Sequence, residues 1–193
     1  LWGVNLEGAN LWQANFVGAN LRGANLQGAF LGGANLKEAR FIDANLTGVR
    51  FWGANLEDAD LTNANLAEAD FMKANAVRTC FSYANLQGAK FGLADLTGAD
   101  FLKANLQGAD LAGVNLTWAK LLKANLRGAN LQRANLEKAN LEKADLWGVN
   151  LKWANLEMAD ILETELNMAT YNNWTSWPED FDPIKSGALL QNE

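Results

Sequence analysis

The chain has no histidine, one cysteine, two prolines and three serines among its 193 residues. Without histidine there can be no Ser-His-Asp triad, no Cys-His pair and no imidazole-based metal site. The lone Cys80 excludes an internal disulfide and a cysteine-rich metal site, and it leaves the redox compartment open. No apolar run approaches the ~18 residues of a membrane span. Excess charge is small as well: 22 acidic and 16 basic residues leave a net −6. That balance favours solubility and lacks the basic patch that direct nucleic-acid binding needs. Walker-type and dinucleotide glycine motifs are absent. The chain starts at Leu1, already inside a repeat, with no Met and no signal-peptide pattern, so a processed or truncated N-terminus is expected.

What the chain does contain is one phrase of five residues, as in Ala14-Asn15-Phe16-Val17-Gly18 followed by Ala19-Asn20-Leu21-Arg22-Gly23. It recurs 34 times from Leu1 to Thr170 without insertion or deletion. Each unit has a large apolar centre (Leu1, Leu6, Leu11, Phe16 and so on), and only Ala76 departs from Leu, Phe or Ile. Two residues before each centre stands a small residue, almost always Ala. Apolar positions therefore step by two, then three. An α-helix needs steps of three and four, and a continuous strand needs steps of two, so neither fits. A short extended pair pointing inward, then a turn, does fit. Asn or Asp before the centre and Gly two residues after it are turn formers. Repeated turning in one sense winds the chain into a solenoid.

A period of ten overlies the five. Positions 5, 15, 25 and onwards to 165 are Asn or Asp throughout, except Glu165. The alternate slot varies freely: Phe30, Arg40, Arg50, Cys80, Lys90. Phe centres also segregate, with Phe41, Phe51, Phe71, Phe81, Phe91 and Phe101 in one class and only Phe16 in the other. Two alternating unit types require an even number of sides per turn.

The pattern Ala-(Asn/Asp)-Leu-x-x over residues 1–170 resembles that of the pentapeptide-repeat proteins. The resemblance implies an all-β fold, a right-handed quadrilateral parallel β-helix of about eight coils, each of twenty residues. At ~4.8 Å per rung the rod would be roughly 40 Å long. Residues 171–193 form a separate tail. Its Trp174-Thr175-Ser176-Trp177-Pro178-Glu179-Asp180-Phe181-Asp182-Pro183 resembles the segment that closes many cyanobacterial pentapeptide-repeat proteins. Trp174, Trp177 and Phe181 are expected to fold over the last coil as a C-terminal cap, with a partner-docking peptide as the alternative. Around Ala76 a volume deficit is expected, filled by Phe71 and Phe81, with a local bulge as a further possibility.

On a twenty-residue coil, outward positions twenty apart stack in columns. Trp12, Gly32, Trp52 and Met72 make one column, with Phe30 and Arg50 beside it. This is a candidate partner-binding patch, or else large side chains packed flat on the rod. Lys103, Lys123 and Lys143 make a basic ladder, either a site for an anionic partner or a solvated face. Ile42, Leu102 and Leu122 form a weakly apolar third column. Asp60, Asp70, Asp100 and Asp110 read as solvated turn residues on a convex surface, and Cys80 as an incidental thiol.

These readings give a non-enzymatic scaffold with no cofactor or metal, docking a protein partner of unknown identity and possibly regulatory. The resemblance also implies an alternative: a DNA mimic that binds and modulates a type II topoisomerase, DNA gyrase. Against it, acids and bases alternate along the columns. A regulator in cyanobacterial physiology is a setting suggested by the tail alone. A monomer is expected, because the tail occupies the end through which related proteins dimerise. The favoured location is the cytoplasm, with the thylakoid lumen or periplasm as alternatives if a leader has been removed.

Overall fold

Each five-residue unit turns once. In the computed structural model, which describes residues 1–192, the carbonyl of Leu6 accepts the N–H of Ala9 at 3.1 Å, and the same bond recurs from unit to unit. The third residue of all 34 turns has φ between 54° and 66°. Positive φ at that place marks a type II turn. Fourteen of the 34 are Gly and twenty are not, so most turns hold a side chain in the left-handed region. Four turns complete a square coil. Parallel bridges then join every fifth residue to the one twenty further on, from Asn5↔Asn25 to Asn150↔Thr170. Each side is so short that it carries a single bridge; the two-residue strands β1 (Thr170–Tyr171) and β2 (Leu189–Leu190) occur only at the C-terminal end. Among the described residues no helix is long and apolar enough to cross a membrane.

The ten-residue period becomes an alternation of sides. The Asn-bearing units lie on the second side (centres Leu6, Leu26, Leu46) and the fourth (Phe16, Leu36, Leu56). The variable units lie on the first (Leu1, Leu21, Phe41) and the third (Leu11, Leu31, Phe51). Asn suits the fixed slot because it bonds in two directions. Asn25 Oδ1 accepts the N–H of Gln27 at 3.2 Å, and Asn45 Nδ2 donates to Asn25 Oδ1 at 3.0 Å. The first bond shapes the turn; the second ties neighbouring coils together, as again in Asn85 to Asn65 and Asn125 to Asn105. Asp in the variable slot also closes the turn, as Asp60 Oδ1 does for the N–H of Thr62 at 3.0 Å, and Asp110 accepts from Asn130 of the next coil at 3.1 Å as well.

Inside, the centres and their small partners form one continuous core, fully buried from Leu21 to Leu156. The Phe residues fill it as two interleaved stacks. Phe51, Phe71 and Phe91 stack on the third side, with centroids 4.9 and 4.6 Å apart. Phe81 and Phe101 stack on the first side at 4.9 Å. The stacks meet edge to face across the core, Phe71 to Phe81 at 5.6 Å. Ala76 lies between these rings. The bulge considered there is not formed: Asn75↔Asp95 and Cys80↔Asp100 keep the ladder in register, and the buried Thr79 hydroxyl donates to Leu56 O at 2.7 Å.

Past Tyr171 the chain takes in one extra residue. Asn155 pairs with Ser176, 21 residues on. Thr175 then fills the small inward slot and donates its hydroxyl to Leu151 O at 2.9 Å. Trp177 takes a centre slot, edge-on to Tyr171 at 5.5 Å, and Phe181 packs on it at 5.3 Å. Trp174 departs from the expected lid and is 75% exposed. It occupies the outward third position of a turn closed by Thr175 N–H to Asn172 O at 3.0 Å. The tail returns through β2, parallel to β1.

Candidate partner-binding surface

The third side carries a cluster of large exposed residues, Trp12, Phe30, Trp52 and Met72. Its outward residues follow the centres Leu11, Leu31, Phe51 and Phe71, so Trp12, Gly32, Trp52 and Met72 stand in one column, with Phe30 and Arg50 in the next. Trp12 and Trp52 come from coils two apart, yet their rings are stacked, with centroids 6.2 Å apart and planes 14° from parallel. Gly32 permits this, because a Cβ there would run into the Trp12 ring. The Arg50 guanidinium lies 4.3 Å over the Phe30 ring, and the Lys73 ammonium 5.8 Å from Trp52. Trp12, Phe30, Trp52 and Met72 nevertheless remain between 37% and 52% exposed. The rings thus pack along the rod and still present an apolar face bordered by two cations.

Three further cation–aromatic pairs, each joining residues twenty apart, occupy other columns. Arg127 sits over Trp147 at 4.9 Å, Arg133 over Trp153 at 5.5 Å and Lys138 over Trp118 at 5.0 Å. Such pairs are worth about 0.5–1 kcal/mol each at exposed sites.

The basic ladder is broken. Lys103 turns to the Tyr83 ring at 5.6 Å. Lys143 bonds Glu142 at 2.8 Å and reaches Glu163 at 3.7 Å, contacts that raise its pKa, Glu142 most. Lys123 alone has no partner among the described residues. A lysine stem is long enough to find an acid or a ring near it, and two of the three ladder lysines do so.

One cluster escaped the reading by columns. Arg78 donates to Asp58, one coil back, through Nε and Nη2, both at 2.7 Å, and from Nη2 to Glu57 at 2.6 Å. Lys37 adds a bond to Glu57 at 3.3 Å. Arg78 holds both carboxylates below their ordinary range, with Lys37 contributing second at Glu57. The twenty-residue spacing of Asp58 and Arg78 was the available signal. Elsewhere Cys80 lies in a chain of polar groups, its Sγ 3.2 Å from Thr62 Oγ1 and 3.5 Å from Ser82 Oγ, with Ser82 donating to Asp100 at 3.1 Å. Leu102 and Leu122 line a shallow hollow of about 160 Å³ with Asp100, Lys120 and Asn140.

The family described as pentapeptide repeats matches the chain in eight copies, over residues 1–37, 39–75, 79–117, 109–148 and 119–157. Among solved structures, HetL is 30% identical over 97% of this chain and 85% of its own, with a TM-score of 0.58. HetL is a pentapeptide repeat protein of the cyanobacterium Nostoc sp. strain PCC 7120, involved in heterocyst differentiation regulation. QnrB1, a plasmid-mediated fluoroquinolone resistance protein, is 22% identical over 98% of this chain and 90% of its own, with a TM-score of 0.73. That likeness is one of fold. No curated protein matches the sequence.

Proposed function

Since the chain belongs to the pentapeptide-repeat family, whose fold is a right-handed four-sided β-helix, we propose that it is a non-enzymatic scaffold that docks a protein partner. The observation that carries this reading is the half-exposed Trp12–Trp52 stack on the third side, with Phe30, Met72, Arg50 and Lys73 around it. Tryptophan and arginine on a rigid support supply contact area at low entropic cost. The Asn ladders stiffen the two flanking sides, so the patch needs no reorganisation on binding. In this reading the rod acts as a monomer of 21.0 kDa, and light scattering at twice that mass would reject it.

Cross-linking in the source cell tests the docking surface. A partner captured by the full chain should be lost with the double substitution Trp12→Ala and Trp52→Ala, at an unchanged melting temperature. Retention of the partner by that variant would move docking elsewhere. The alternative of a DNA mimic acting on a type II topoisomerase draws less support, because acids pair with bases on neighbouring coils, as Asp58 does with Arg78 and Asp145 with Arg127 at 3.1 Å. A supercoiling assay with the added protein separates the two: inhibition would favour the mimic.

A further inference from the structure

The tail closes only part of the C-terminal end. On the third and fourth sides the last full coil finds partners in it: Leu156 N–H donates to Ser176 O at 2.8 Å, and Leu189 N–H to Ala169 O at 2.7 Å. Met168 on the second side bonds Gly187 O at 3.1 Å. Between them runs an edge without a next rung. One coil earlier, Leu141, Lys143 and Leu146 donate their N–H groups to Asp160, Leu162 and Glu165, and Ala139 and Ala144 accept from Asp160 and Glu165. The corresponding donors, Ile161, Glu163 and Leu166, and the corresponding acceptors, Ala159 and Thr164, have no bonding partner among the described residues. This edge opens into a groove of about 600 Å³ with Ile161, Leu162 and Leu166 on one wall and Phe181 and Ser186 on the other.

The charges along the rod say what fits. Four columns pair opposite charges across successive coils: Lys37 and Glu57 at 3.3 Å, Asp58 and Arg78 at 2.7 Å, Asp100 and Lys120 at 4.0 Å, Lys143 and Glu163 at 3.7 Å. The open edge ends on the acidic member. Glu163 has a side chain 61% exposed, and Asp160 and Glu165 are exposed as well. An edge that presents three exposed carboxylates is complementary to a rung that carries cations.

We propose that this edge binds an extended, basic segment of a partner protein, which adds one further rung by parallel β-pairing. A large apolar residue of that segment lies against Ile161 and Phe181, and a Lys or Arg stands over Glu163. Backbone bonds to the five open groups supply affinity, and the apolar and acidic positions supply selectivity. The site lies at the opposite end of the rod from the Trp12–Trp52 patch and does not depend on it.

The probe is the acetylated, amidated peptide Ala-Asn-Leu-Ser-Lys-Ala-Lys-Leu, written in the register of residues 159–166, titrated into the full-length ¹⁵N-labelled chain. The amide resonances of Ile161, Glu163 and Leu166 should shift together, and their hydrogen exchange should slow on saturation. Replacing both Lys of the peptide by Glu should weaken binding by about tenfold or more. N-methylation at the Asn and at the second Lys, which removes the hydrogens aimed at Ala159 O and Thr164 O, should abolish it. The Glu163→Lys chain, at an unchanged melting temperature, should reverse the preference between the two peptides. The proposal is overturned if those three amides stay still at millimolar peptide. It also fails if binding survives both peptide changes, or if the same amides shift with protein concentration alone, which would assign the edge to a second copy of the chain.

Discussion

Trp12 and Trp52 stack at 6.2 Å although forty residues separate them, because the coil between contributes Gly32 to their column. The interaction joins alternate rungs of the rod and leaves both rings about half exposed.

Gly32 shows no positive φ, so its role is space and not backbone freedom. Gly32→Leu should separate the indoles and change the near-ultraviolet circular dichroism of the chain. Surface changes of this kind usually alter stability by less than about 0.5 kcal/mol, so the melting temperature should hold. A large fall in melting temperature would make the stack a structural element and not a docking face.

Ala76 is fully buried and stands in the chain between Phe71 and Phe81, whose rings meet edge to face at 5.6 Å, so a leucine there would compete with them for space. Ala76→Leu should therefore destabilise by about 1–3 kcal/mol despite restoring the consensus centre. Chemical denaturation checks this, and a stabilised variant would reveal free volume beside those rings.

The Arg78 cluster should give the rod's stability a dependence on pH in the acid range. Arg78 depresses the folded-state pKa of Glu57 and Asp58 from ordinary values of 4.5 and 3.8. A depressed carboxylate contributes stability that is present above its unfolded pKa and lost as pH falls through its folded one. Arg78→Met should lower the melting temperature at neutral pH. The gap from the parent should narrow below about pH 4, as the two acids take up protons. A gap that is constant with pH would assign the loss to the arginine's packing.

Trp177 packs on Tyr171 and Phe181, while its buried indole Nε1 has no acceptor among the described residues. Trp177→Phe should then cost little, since the ring stays and an unsatisfied donor is removed. Trp177→Ala should cost more, though less than the ~3–5 kcal/mol of emptying a fully buried aromatic site, since Trp177 is partly buried. Equal losses in both variants would show that the N–H is bonded after all, through an ordered water.

Much of the fold is legible in residue order, since each five-residue unit carries its own inward pair and its own turn. The split into two unit classes is also legible, and the structure gives it a place: Asn-bearing units on the second and fourth sides, variable units on the other two. Surface columns are legible as positions but not as contacts. Lys103, Lys123 and Lys143 do stand in line, yet Lys103 turns to Tyr83 and Lys143 to Glu142. Flexible stems choose among neighbours in three columns, and spacing does not rank them. The same limit hid Arg78, which reaches both Asp58 and Glu57.

The sequence alone determined the coil, because a step of two followed by three admits a turn every five residues and no helix or continuous strand. Only the tertiary structure decided how the rod ends. One residue is taken in between Asn155 and Ser176, and the tail then bonds Leu156, Ala169 and Met168 on the fourth, third and second sides. The amides of Ile161, Glu163 and Leu166 are left open, because a backbone hydrogen bond forms only where the next coil arrives in phase.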